Sequence, residues 1–268
     1  MNDSFESPPT QEPLDPQAVV SPPAKAFPVW SGWDVMFLFF FSSFSAIVFA
    51  TLGNSISHLL QIKFSFARVW LHSENEGIYL IFYQAILDGV ILLFIYFTIT
   101  LKYNSPFLKS IKWKPRHPLR VAPFFPLGIL LALVVAGVSA FFPSPMELPI
   151  ERLLKQPHAA FFFATLGIVV APFVEEVVFR GFIYPVVERW VGSYGAILGT
   201  AALFTGVHLS QLWGSWPAIG LISTVGLTLS IVRAKTDSLF PSFVVHLAYN
   251  TTISILFIIG VFVGGFPA

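Results

Sequence analysis

The chain has 268 residues, 55% of them hydrophobic and 11% charged, with a net charge of +1 and a mean hydropathy of +0.76. Soluble domains carry about 25% charged residues, so a chain this poor in charge, with 30 Phe and 7 Trp, cannot cover itself with polar groups and must be solvated by lipid. That argues against a soluble enzyme, a nucleic-acid binder or a disordered scaffold, and the absence of cysteine excludes disulfides, thiolate metal sites and cysteine nucleophiles.

Residues 1–28 hold seven of the 21 prolines together with Asp3, Glu6, Glu12, Asp15 and Lys25. This segment has nothing to bury and is expected to be a disordered Pro-rich tail. It lacks the basic start and short apolar run of a signal peptide. From Trp30 onward, apolar runs alternate with short polar loops. Crossing a hydrocarbon core of about 30 Å takes about 20 helical residues. Seven spans are expected, at about 32–53, 77–100, 121–142, 159–184, 195–213, 217–233 and 238–264. A re-entrant or interfacial piece within 54–72 would make eight elements, and 147–155 is a candidate short interfacial helix. The predicted fold class is thus all-α, a polytopic transmembrane bundle of seven or eight helices. His58, His72, His117 and His158 are expected in solvated loops.

Lysine and arginine set the expected orientation. The loop 101–120 holds Lys102, Lys109, Lys112, Lys114, Arg116 and Arg120 and no acid. With that loop in the cytoplasm, ten basic residues fall on the cytoplasmic side, Arg189, Arg233 and Lys235 among them, and four fall outside. The N-terminus is then cytoplasmic and the protein integral and multi-pass. Arg180 belongs to neither side.

Ionised groups cost roughly 2.5–3.5 kcal/mol at the bilayer centre, so those inside spans need a reason. The fourth span carries Glu175, Glu176 and Arg180; the fifth carries Phe204 and His208; the seventh carries His246 and Asn250. Glu176 and Arg180 are spaced i, i+4 and can pair on one face, while Glu175 sits about 100° around the helix and is free of that pair. At 1.5 Å per residue, Glu175 lies about 14 Å from the cytoplasmic end of its span, His208 about 20 Å, His246 about 12 Å and Asn250 about 18 Å. The four are therefore expected at one level. Asp88, one turn from Gln84 in the second span, has a depth that approaches them.

A carboxylate beside histidines in a dry cavity suits hydrolysis. Burial makes a Glu a better base for water, and a His and an Asn together can donate to an oxyanion. Alternatively, Glu175 or Glu176 with His208 and His246 supplies three ligands for a catalytic zinc, although the HExxH pattern is absent. The sequence leaves both open.

Glu-Glu-x-x-x-Arg, Phe-x-x-x-His and His-x-x-x-Asn, in that order and each in its own apolar helix, resemble the CPBP intramembrane proteases, a family that includes type II CAAX prenyl endopeptidases and bacteriocin-processing and abortive-infection proteins. The resemblance runs from about 159 to 255. It implies that Glu175 and His208 activate water, that His246 and Asn250 hold the oxyanion, and that Glu176 and Arg180 keep the geometry. On this division, 1–28 is a tail, 29–158 the N-terminal helices of the bundle and 159–268 the catalytic helices. The expected partners are membrane lipids and a peptide or lipidated protein, with no nucleic acid. Divalent zinc is the one cofactor under consideration. Rival readings are a proton-coupled transporter, for which no internal repeat is found, and a catalytically silent membrane scaffold or immunity protein.

Overall fold

Long apolar runs satisfy their backbone inside a membrane only as helices, and helices are what they form. A computed structural model describes residues 27–63, 76–115, 118–142 and 157–264, and among these there is no strand. In chain order the helices are α1 Gly32–Lys63, α2 Glu76–Phe97 with a π-helical turn Thr98–Lys102, the single turns α3 Phe107–Ser110 and α4 Pro118–Val121, α5 Phe124–Phe141, α6 Pro157–Glu176 with a π-helical stretch Val177–Ile183, α7 Tyr184–Leu212, α8 Trp216–Thr236 and α9 Leu239–Gly264. Five windows, in α1, α2, α5, α8 and α9, are long and apolar enough to cross a membrane. Large side chains such as Phe37, Phe40 and Phe44 of α1 and Leu198 and Val207 of α7 face outward, as a lipid-solvated surface requires. The protein is an all-helical, multi-pass integral membrane protein.

α6 lies at the centre, packed on α2 and α9, with its π extension against α7. Two of the apolar cores lie around this centre. One joins Trp30, Leu38, Ile95, Ile99, Val177 and Phe182, and the other joins Leu131 of α5 to Val225, Leu229 and Val245 of α8 and α9. The segment before α1 is pinned to this centre: Trp30 is fully buried, stacks on Phe182 with ring centroids 5.1 Å apart and donates its indole N–H to the Phe182 carbonyl at 2.8 Å.

The structure departs from the sequence expectations in several places. α1 runs on to Lys63, so the first part of 54–72 continues a helix; the rest of it, the tail up to residue 26 and 147–155 lie outside the described residues. His58 and His158 fall within α1 and α6 rather than in loops, and His72 and His117 lie outside the described residues. The fourth span is not a uniform α-helix, because Pro172 interrupts its hydrogen bonding and a π register follows from Val177. α7 is two helical pieces joined at Gly192, whose φ of 73° and ψ of 174° are open essentially to glycine alone. The piece from Tyr184 to the kink, with Glu188, Arg189 and Trp190, was not foreseen.

Candidate active site

Three helices bring the polar groups together. Glu176 closes the α-helical part of α6 and is completely buried. Its Oε1 accepts from Arg180 Nη1 at 3.0 Å and lies 3.1 Å from His246 Nδ1 of α9. The i, i+4 pairing expected of a helix is thus made, although the turn carrying Arg180 is π-helical. Arg180, also fully buried, donates from Nη2 to the Gly226 carbonyl of α8 at 2.8 Å, and its guanidinium lies over the Phe204 ring at 4.6 Å. Gly226 is needed for that approach: a Cβ there would meet Phe204 Cδ1 at 3.0 Å and the Ala201 carbonyl at 3.3 Å. Removing one partner from a buried ion pair costs about 3–5 kcal/mol, so this cluster commits α6, α8 and α9 to one arrangement.

Glu175 is different. Its side chain is 26% exposed where that of Glu176 is 0%, and its nearest charged neighbour is His246, with Oε2 3.6 Å from Nε2. His246 therefore stands between the two carboxylates. The Glu176 carboxylate accepts at Nδ1, which assigns a proton to that nitrogen and directs Nε2 towards Glu175.

His208 is one ring away. Its Nδ1 donates to the Phe204 carbonyl at 2.7 Å, its ring lies 4.6 Å from that of Phe204, and Phe204 in turn lies 6.0 Å from the His246 ring. With Nδ1 so occupied, Nε2 carries the lone pair. Among the described residues His208 makes no hydrogen bond to Glu175. Asn250 donates from Nδ2 to the Gly167 carbonyl at 2.8 Å, which ties α9 to α6 and leaves its second amide hydrogen for other use. Asp88 accepts from Gln84 at 2.7 Å and is near enough to Glu175 for the two carboxylates to interact electrostatically.

So Glu175, Glu176, Arg180 and His246 converge directly, with His208 adjoining through Phe204 and Asn250 held one helical turn beyond His246. Among the described residues no three His, Asp or Glu side chains are grouped to hold a metal ion. The zinc set anticipated from Glu175 or Glu176 with His208 and His246 is not assembled as one group among these residues. Sequence reasoning missed Arg233. Counted only among the bases of the cytoplasmic side, it is 1% exposed and donates from Nε to the Arg180 carbonyl at 3.1 Å. A basic residue in the last turn of a span gives no sequence signal of turning inward.

Glu175, Glu176, Arg180, His208, Arg233, His246 and Asn250 all lie within one matched segment. Residues 157–252 match the family model described as type II CAAX prenyl endopeptidase Rce1-like. That segment is a CPBP-family domain. At family level it is a CAAX-type intramembrane protease domain, which implies a peptide or protein substrate within a membrane setting. No curated protein and no solved structure matches the chain.

Proposed function

We propose that the protein is an endopeptidase that hydrolyses a peptide bond near the cytoplasmic face of the membrane, with Glu175 as general base. One observation carries this. Of two adjacent carboxylates, Glu176 is fully buried, with one oxygen held by Arg180 and His246, whereas Glu175 is partly open to solvent and, among the described residues, accepts no hydrogen bond. A base must have an oxygen to offer, and Glu175 has two.

The steps use the chain's own side chains. Water held between Glu175 and the His208 Nε2 lone pair gives a proton to Glu175, and its oxygen bonds to the scissile carbonyl carbon. The resulting oxyanion is held by the second Asn250 amide hydrogen and by His246, which donates from Nε2 when that nitrogen is also protonated; Glu176 at Nδ1 then balances the imidazolium. Collapse breaks the C–N bond, and the proton on Glu175 passes to the leaving amine. Glu176 and Arg180 keep His246 in place. Among the described residues the side chains do not group as one ligand set, and this route uses water and the chain's own groups alone.

The cytoplasmic assignment rests on basic segments meeting at one end of the bundle. Arg189 donates to the Pro28 and Trp30 carbonyls, Lys102 reaches Asp34, and the Leu239 N–H donates to the Lys112 carbonyl. With no native cysteine, a single cysteine placed at Lys109 and probed with a membrane-impermeant thiol reagent in sealed vesicles reports the side directly.

The activity test is cleavage of fluorogenic peptides, prenylated and plain, by wild type and Glu175→Gln in lipid, with and without chelator. Cleavage by wild type alone, unaffected by chelator, is expected. Equal cleavage by both proteins would remove Glu175 from its role, and loss with chelator would replace the metal-free route.

A further inference from the structure

A π-helical stretch pairs each N–H with the carbonyl five residues back, and such turns inside α-helices are concentrated at functional sites. In Val177–Ile183 the closing bond runs from the Tyr184 N–H to the Phe179 carbonyl. The next bond in that register would run from residue 185 to the Arg180 carbonyl, and Pro185 has no N–H to give. A buried carbonyl without a donor is costly. Here the donor comes from another helix, as Arg233 Nε bonds that carbonyl at 3.1 Å.

The contact runs both ways. Arg180 of the π stretch reaches the Gly226 carbonyl of α8, and Arg233 of α8 reaches the Arg180 carbonyl. Two arginines clasp the two helices, each holding the other's backbone. Solvation does not account for Arg233. A long basic side chain at the end of a span ordinarily extends to water or headgroups, and this one is buried over the Tyr184 ring at 5.2 Å. Asp237 is the acid beside it, 3.5 Å from Nη1, and Nη2 has no partner among the described residues. A charge kept at that cost is explained if the bond it makes matters.

We propose that Arg233 is a positioning residue of the site: by supplying the donor that Pro185 denies to the Arg180 carbonyl, it fixes the π register that sets Arg180 against Glu176 and so holds His246. The catalytic part of this rests on the peptidase reading above; the structural part does not.

The test uses the full-length protein in lipid and three variants: Arg233→Met, Pro185→Ala, and the two combined. Arg233→Met removes the donor and keeps the bulk. Pro185→Ala restores a backbone N–H placed to bond the same carbonyl. Two readouts are taken, peptide cleavage resolved into kcat and KM, and the ¹⁵N resonances of labelled His246. Arg233→Met is expected to lower kcat about tenfold to a hundredfold, as a small misplacement of reacting groups does, with KM within about twofold and with shifted His246 resonances. The double variant is expected to regain most of the kcat and the wild-type resonances. A folded Arg233→Met with unchanged kcat and resonances overturns the proposal, as does a double variant that regains nothing. If Arg233→Met does not fold, the double variant decides: recovery of the fold and of the His246 resonances supports the proposal, and failure to recover overturns it. A wild type that cleaves no peptide removes the peptidase reading, and the resonances then judge Arg233 alone.

Discussion

Two buried carboxylate clusters in this protein behave in opposite ways. At the start of α1, Asp34 is 2% exposed and has donors on both oxygens: the Ser31 N–H at 2.8 Å, the Ser31 hydroxyl at 2.9 Å, the Tyr103 hydroxyl at 2.6 Å and Lys102 at 2.5 Å. Among the described residues of the α6 cluster, Glu176 Oε2 and Arg180 Nε, both buried, have no partner, and Glu175 accepts no hydrogen bond. A saturated carboxylate has nothing left to offer a ligand, and its role is to join α1 to the end of α2. An unsaturated one in a dry site retains the capacity to take a proton or hold a water. Burial alone does not separate structure from function here; unspent hydrogen-bonding capacity does.

The largest effects should fall on opposite quantities in the two clusters. Glu175→Gln keeps the shape and removes the base, so kcat/KM is expected to fall about a thousandfold, equivalent to about 4 kcal/mol in the barrier. Its unfolding midpoint should stay at the wild-type value, because Glu175 is partly exposed and its one charged contact among the described residues, His246 at 3.6 Å, is beyond hydrogen-bond distance. Asp34→Asn should do the reverse. Losing charge-assisted bonds is expected to cost about 1.5–3 kcal/mol of stability, read by thermal unfolding in detergent, with kcat/KM within about twofold. A Glu175→Gln protein that melts early, or an Asp34→Asn protein that folds well and fails to cleave, would break the distinction.

A third substitution probes how closely the α6 cluster depends on packing. Gly226→Ala places a methyl against Phe204 and the Ala201 carbonyl, pushing α8 from α7 and drawing the Gly226 carbonyl from Arg180. Overpacking of this size costs about 1–2 kcal/mol, and cleavage should fall severalfold with it. Unchanged unfolding and unchanged rate would show that Arg180 does not need that carbonyl.

The sequence made the helices legible because a membrane leaves the backbone few choices: every apolar run of sufficient length had to be a helix, and the ionisable residues inside the runs stood out. Glu175, Glu176, Arg180 and His246 were visible for that reason, and helical spacing sufficed to put Glu176 against Arg180. The π register was not visible. It depends on Pro185 withholding one N–H and on donors that arrive from Trp30 and Arg233, which are 152 and 53 residues from their acceptors. The burial of Arg233 was not visible, because positive charge near a span end is ordinarily a statement about topology. Asp34 was passed over, since an acid just inside the first apolar run reads as a first-turn residue satisfying the helix dipole. Only the tertiary fold shows that Lys102 and Tyr103 close on it.

The smallest effect belongs to Asp237, an ion pair outside the spans that brings the comparison to the surface. It follows α8 with φ of 48° and meets Lys112, Lys114 at 3.2 Å and Arg233. Partial burial pushes its carboxyl up, but the bonds from Lys112 and Lys114 outweigh this and hold it below the ordinary aspartate value. A carboxylate lowered on folding stabilises the native state where it is ionised in both states, above an ordinary value of about 4. As the pH falls below that, the unfolded chain takes up its proton first and the contribution fades, vanishing once the folded group is protonated too. Asp237 is 57% exposed, so the contribution should stay under about 1 kcal/mol. Asn tolerates the same left-handed backbone, which makes Asp237→Asn a clean comparison. The stability difference between wild type and this variant, measured by denaturant unfolding, should be constant above about pH 5 and shrink below about pH 4. A difference that persists undiminished into strong acid would mean that the residue acts through its turn geometry, and that its ion pairs with the basic loop contribute nothing.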